Sequence, residues 1–175
     1  AADQAFRKTH EFFPVEGNCL SCHDPHGGAE KGLLLANRHE PFGPGNCSTC
    51  HEPPAPGVKV RLVAEEAALC TTCHDPVEAP APPRGLHAPV EAGNCSDCHD
   101  PHAARSASLL LADGANLCAR CHEQPSGRIR TAAPEQVHAP ARNGECRACH
   151  GGHDGVMPGL LTAAAPGRDV VFFDS

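Results

Sequence analysis

Apolar residues in this chain gather into short clusters: Leu33-Leu34-Leu35-Ala36, Leu109-Leu110-Leu111, Leu160-Leu161 and Val170-Val171-Phe172-Phe173. None approaches the roughly 20 residues that a membrane-spanning helix needs. Between them, 18 Pro and 17 Gly interrupt any long helix or strand, and the stretch 78–83 reads as a Pro-rich loop. The pattern predicts short helical turns joined by Pro/Gly-rich loops, with one candidate edge strand at 169–174.

Composition sharpens the picture. Leu, Ile, Val and Phe number 13, 1, 10 and 6 in 175 residues, and there is no Trp, no Tyr and a single Met, Met157. Below about 20% of these four types, with net charge, a polypeptide alone does not build an ordinary hydrophobic core. Folding therefore needs a partner or a prosthetic group. The formal charge of -7 argues against nucleic acid as that partner, since phosphates require a basic face.

All twelve cysteines fall into six CxxCH units: Cys19-Cys22-His23, Cys47-Cys50-His51, Cys70-Cys73-His74, Cys95-Cys98-His99, Cys118-Cys121-His122 and Cys146-Cys149-His150. Chance would place His after every pair with a probability on the order of 10^-7, so the fifth position belongs to the motif. Zinc sites built from paired CxxC, disulfides and iron–sulfur ligation all leave six regularly placed histidines unexplained. CxxCH is the attachment motif of c-type haem: two thiols on one side of a helical turn bond the porphyrin vinyl groups, and the adjoining imidazole takes one axial position on iron. The sequence thus predicts six covalent haems.

Seven histidines remain for six opposite axial positions: His10, His26, His39, His87, His102, His138 and His153. His10, His39, His87 and His138 precede the first Cys of a unit by 9, 8, 8 and 8 residues, in segments of the form His-x-Pro-x-x-x-Gly-x-Cys with small variations. His26, His102 and His153 each lie three residues after a proximal His, too close to reach around the same porphyrin, and so are expected to ligate a neighbouring haem. With one Met available, at least five haems are expected to be bis-His and of low potential. A six-coordinate iron leaves no vacancy for substrate, which argues for an electron carrier and against an enzyme.

Successive units start 28, 23, 25, 23 and 28 residues apart, and the segment from His39 to His74 aligns with that from His87 to His122. This His39-Glu40-Pro41, Gly45-Asn46-Cys47, Leu69-Cys70 pattern, with Asp24-Pro25-His26 and Asp100-Pro101-His102 after proximal histidines, resembles the doubled CxxCH family of multihaem cytochromes c over residues 10 to 161. The chain departs from the family pattern at His51-Glu52-Pro53-Pro54, His74-Asp75-Pro76-Val77 and His122-Glu123-Gln124-Pro125, whose distal ligands must come from elsewhere. The resemblance implies electron transfer outside the cytoplasm, in the periplasm or beyond the cell, often to metals or other external acceptors. It also admits polymerisation into filaments.

The expected architecture is one haem-wrapped domain over 1–175 with little regular secondary structure, short helices and Pro/Gly-rich loops around a stacked haem chain. Its repeat blocks are 10–38 for the first haem, 39–86 and 87–137 for two haems each, and 138–161 for the sixth, followed by a tail, 162–175. In a domain of this size six porphyrins lie about 18 Å apart or less, close enough for hopping. Propionates add to the negative charge, so each added electron makes the next less favourable and the potentials spread. Arg outnumbers Lys 11 to 3, which suits bidentate pairing with propionates.

The leucine clusters are expected to pack on porphyrins. Phe6, Phe12, Phe13, Phe172 and Phe173 crowd the two ends, either capping the terminal haems or docking on a second copy, where a head-to-tail contact would propagate a filament. His10 or His153 would then be available to ligate a haem of a neighbouring protomer. The opening Ala1-Ala2-Asp3 is expected of an exported chain from which a signal peptide has been cleaved. Partners are redox proteins or extracellular acceptors. The rival readings are a soluble shuttle and a multihaem reductase of a small oxyanion, which would need one haem with an open face.

Overall fold

The computed structural model describes residues 4, 10, 18–28, 32–53, 55, 58–78, 85–156 and 158–162. Met157, the terminal phenylalanines, the candidate strand 169–174 and most of the Pro-rich loop 78–83 lie outside the described residues. Short elements make up the rest, as the Pro and Gly content predicts. The helices are Glu66–Cys70, Ala88–Glu91, Gly114–Ala119, Glu123–Thr131 and Ala139–Arg142, and the strands β1 (Asn37–Arg38), β2 (Gly85–Leu86), β3 (Ala103–Ala104) and β4 (Asp154–Gly155) have two residues each. No described helix is long and apolar enough to cross a membrane.

The segments with His eight residues before Cys have a physical grammar. His87 and His138 are the N-caps of Ala88–Glu91 and Ala139–Arg142, with Pro in the first turn, where its missing N–H costs nothing. Each turn then ends on a left-handed glycine, Gly45 (φ 84°), Gly93 (φ 78°) or Gly144 (φ 75°). Around them the N–H of Asn46, Asn94 and Glu145 reaches back to the carbonyl of Pro41, Pro89 and Pro140 at 3.0, 2.8 and 2.8 Å. This six-to-one bond closes a Schellman motif, and glycine supplies the left-handed residue at little cost. One helical turn plus this cap fixes the separation between histidine and thiol.

The chain divides into two compact units, Ala1–His74 with Cys95–Ala112, and Asp75–Asn94 with Asp113–Ser175. In the first, β1 pairs antiparallel with β3, Asn37 opposite Ala104 and Arg38 opposite Ala103. In the second, β2 pairs antiparallel with β4, Gly85 opposite Gly155 and Leu86 opposite Asp154. Each pair leads directly into a distal-type histidine: His39 N–H donates to the carbonyl of His102 at 2.9 Å, and His87 N–H to that of His153 at 2.8 Å.

Among the described side chains only Leu35, Ala103, Ala104 and Ser106 are buried, whereas Leu20, Leu33, Val60, Leu62 and Leu111 are exposed. The described side chains do not by themselves supply an interior.

Candidate haem-binding sites

Each CxxCH is one tight turn. In all six the proximal His N–H donates to the carbonyl of the first Cys, at 2.9 to 3.0 Å, and the second Cys N–H reaches the same carbonyl at 3.1 to 3.3 Å. Residues three and four apart share a face of such a turn, so both sulfurs and the imidazole project together. The turn begins a 3₁₀ segment at Cys19, Cys47, Cys95 and Cys146, whereas Cys70 and Cys118 sit toward the C-terminal ends of α-helices. None of the twelve cysteines forms a disulfide.

The imidazoles come together in pairs. His51 and His102 have ring centres 5.8 Å apart at an interplanar angle of 16°. His39 and His74 are 5.9 Å apart at 16°. In the second unit, His87 and His122 are 5.9 Å apart at 17°. His10 and His23 are 6.1 Å apart and tilted by 45°. An iron bonded to two ring nitrogens at about 2.0 Å each, with each nitrogen about 1.2 Å from its ring centre, spaces two ring centres by at most about 6.4 Å, a few tenths of an ångström above the separations seen. The residues present therefore fit a bis-His haem. The three proximal histidines whose own motif departs from the family pattern, His51, His74 and His122, are the ones met by His102, His39 and His87.

Backbone carbonyls fix which ring nitrogen is available. Nδ1 of His23, His99 and His150 lies 2.6, 2.7 and 2.8 Å from the carbonyls of Gly32, Ser108 and Gly159. On the distal side, Nδ1 of His39 meets the Pro101 carbonyl at 3.0 Å and Nδ1 of His87 the Gly152 carbonyl at 3.2 Å. A carbonyl only accepts, so Nδ1 carries the proton and Nε2 is left for iron.

His102 has a different neighbour: the Asp100 carboxylate is 3.6 Å from its Nδ1 and also accepts from the backbone N–H of His102 and Ala103 at 2.9 and 3.3 Å. Burial lowers the pKa of this imidazole, the Asp100 charge opposes that shift, and His51 and His39 reinforce it. Phe42 meets this ring in an edge-to-face arrangement, with ring centres 5.4 Å apart. In the same unit Glu66 accepts from the N–H and hydroxyl of Ser96 at 2.6 and 3.0 Å, tying the helix that carries Cys70 to the turn that carries Cys95. Burial, then the adjacent Cys95 thiol, push the Cys70 thiol up to about 11. Burial also raises the Cys22 thiol, against a lowering contact from Ser21. Attachment thiols of different motifs are thus close neighbours in the first unit.

His26 and His138 are exposed, His26 at an Asx turn whose Asp24 carboxylate accepts its N–H at 3.1 Å. Among the described residues no group of three or more His, Cys, Asp or Glu gathers as a metal cage; what gathers is imidazole pairs. Asp100, Glu66 and Phe42 escape the sequence reading, although Asp100 is visible as the first letter of Asp100-Pro101-His102.

The doubled CXXCH motif family matches the chain four times, over residues 13–38, 39–79, 87–127 and 138–170. The chain belongs to that family. It is a multihaem c-type cytochrome that binds haem covalently through its CXXCH motifs, a class whose work is electron transfer. No match to the chain was found among the curated proteins or the solved structures.

Proposed function

We propose that the chain is an exported electron carrier holding six haems c, one on each CxxCH, with bis-His axial ligation throughout. Four imidazole pairs with ring centres 5.8 to 6.1 Å apart carry the reading. On this reading His10 serves the haem of His23, His102 that of His51, His39 that of His74 and His87 that of His122. The opposite ligands of the His99 and His150 haems are drawn from His26, His138 and His153.

When bound, haem supplies reversible one-electron chemistry at iron. The polypeptide's part would be to tether each haem through two cysteines and to offer it two imidazoles, so that no oxyanion or oxygen could enter. Carbonyls on Nδ1 strengthen the imidazoles as ligands and favour the oxidised state, placing the potentials low. Respiration to acceptors outside the cytoplasm, as a soluble shuttle or as the subunit of a head-to-tail filament, is the setting that the family resemblance suggests.

Mass spectrometry of the secreted protein is expected to give the polypeptide plus six haems, and electron paramagnetic resonance of the oxidised protein is expected to show only low-spin iron. A stoichiometric high-spin signal would overturn the carrier reading in favour of a reductase with an open haem face.

A further inference from the structure

The leucine clusters do more than offer apolar surface. In three of the four sites whose thiols open a 3₁₀ turn, the loop after the proximal histidine returns as a reversed turn with two consecutive left-handed residues. These are Gly32-Leu33 (φ 91° and 57°), Ser108-Leu109 (56° and 58°) and Gly159-Leu160 (73° and 58°). They stand nine and ten residues after His23, His99 and His150. Such pairs define a type I′ turn, for which Asn and Gly are the ordinary residues. A leucine there is a conformational outlier, and three outliers at one register point to a task.

The hydrogen bonds show the task. The first left-handed residue turns its carbonyl onto the proximal Nδ1, at 2.6, 2.7 and 2.8 Å. The leucine's own carbonyl accepts the N–H of the residue after the histidine, Asp24, Asp100 or Gly151, at 2.6, 2.7 and 2.7 Å. In these three turns the two successive carbonyls face the histidine from a backbone that is left-handed at both positions. The following leucines, Leu34, Leu110 and Leu161, then bridge back to the histidines themselves. Space is cleared for the turn from behind: a Cβ on Gly28 would collide with the backbone of Leu33, and one on Gly155 with that of Leu160. In the fourth such site Val60 and Arg61 occupy the two central positions, and neither has a positive φ.

We propose that Leu33, Leu109 and Leu160 are positioning residues. Each holds a strained turn whose preceding carbonyl orients a proximal imidazole and keeps its iron at low potential. The inference rests on the bis-His reading above. A carbonyl acceptor on Nδ1–H makes the imidazole a stronger donor to iron, so losing it destabilises the oxidised state and moves the potential up.

The test is redox titration of the haem-loaded full chain as wild type and as Leu109→Gly, Leu109→Asn and Leu109→Ile. Glycine and asparagine accept the left-handed region, whereas β-branched isoleucine does not. Leu109→Ile is expected to move one potential upward with the others unmoved, and Leu109→Gly and Leu109→Asn are expected to keep the wild-type set. Wild-type potentials in Leu109→Ile, or equal shifts in all three variants, overturn the proposal. Should Leu109→Ile not mature, hydrogen–deuterium exchange of the ring N–H protons in the reduced wild-type protein decides. Slow exchange at His23, His99 and His150 supports the turn's role, and exchange as fast as in free imidazole sinks it. Haem stoichiometry by mass separates the layers, since a chain lacking haem defeats the bis-His reading, whereas a loaded chain with unmoved potentials defeats the turn alone.

Discussion

The backbone N–H of His39 donates to the carbonyl of His102 at 2.9 Å, yet the two rings serve different partners, His39 facing His74 and His102 facing His51. One antiparallel backbone contact therefore places the imidazoles of two pairs at once. Replacing His39 with Ala should disturb the haem on Cys70 and Cys73, not the one on Cys47 and Cys50 that lies nearer in sequence. The expected outcome is one new high-spin signal in the oxidised protein and retention of haem mass. Proteolysis followed by spectroscopy of haem peptides locates the attachment sites, and a signal confined to the His51 haem would refute the assignment.

Asp100 sets the electrostatics of the His51–His102 site. Its carboxylate sits 3.6 Å from Nδ1 of His102 and accepts two backbone N–H bonds. Asp100→Asn keeps the shape and removes the charge, so the potential of this haem should rise, as read by spectroelectrochemistry at neutral pH. The lost charge-assisted bonds should also cost stability, about 1–2 kcal/mol.

Gly144 tests the helix cap. Its φ is 75°, and a Cβ there would meet the Ala115 Cβ at 2.9 Å. Gly144→Ala should destabilise the second unit by about 1–2 kcal/mol through the left-handed backbone and the contact together. Gly127→Ala, in a helix and with nothing within 4 Å of the added methyl, is the control and should be neutral or stabilising. Urea midpoints of the two variants make the comparison.

Acid should loosen the first unit through Asp24. The Arg105 guanidinium, and then the N–H of His26, hold this carboxyl below its usual value of 3.8. A lowered carboxyl contributes stability that is complete above the usual value and disappears as pH falls through the lowered one. Arg105→Gln removes the main cause, so the variant should be less stable near neutral pH and lose less on acidification, its profile converging on that of the wild type as pH falls through the carboxylate range. Denaturant midpoints from about pH 2 up to neutral pH would show it, and superimposable profiles would count against the pair.

Much of this architecture was legible in the letters. The CxxCH turns and the scarcity of side-chain core among the described residues follow from the twelve cysteines and the missing aromatics. The helical turn after His87 and His138 carries a mark of its own in the letters, Pro at its start and Gly at its end. Pairing of imidazoles was not legible, because His39 and the Pro101 carbonyl that orients it are 62 residues apart and meet through a strand contact of two residues, too short to leave a periodicity. Left-handed leucines were hidden for another reason: Leu33, Leu109 and Leu160 read as apolar cover, and nothing in a leucine announces a positive φ.

The imidazoles are aimed mainly by main-chain carbonyls: Gly32, Ser108 and Gly159 on the proximal side, Pro101 and Gly152 on the distal side. A carbonyl is the same atom whatever side chain it carries. Most letters between the motifs can therefore drift without re-aiming an imidazole, provided the left-handed glycines and leucines that turn the backbone stay in register.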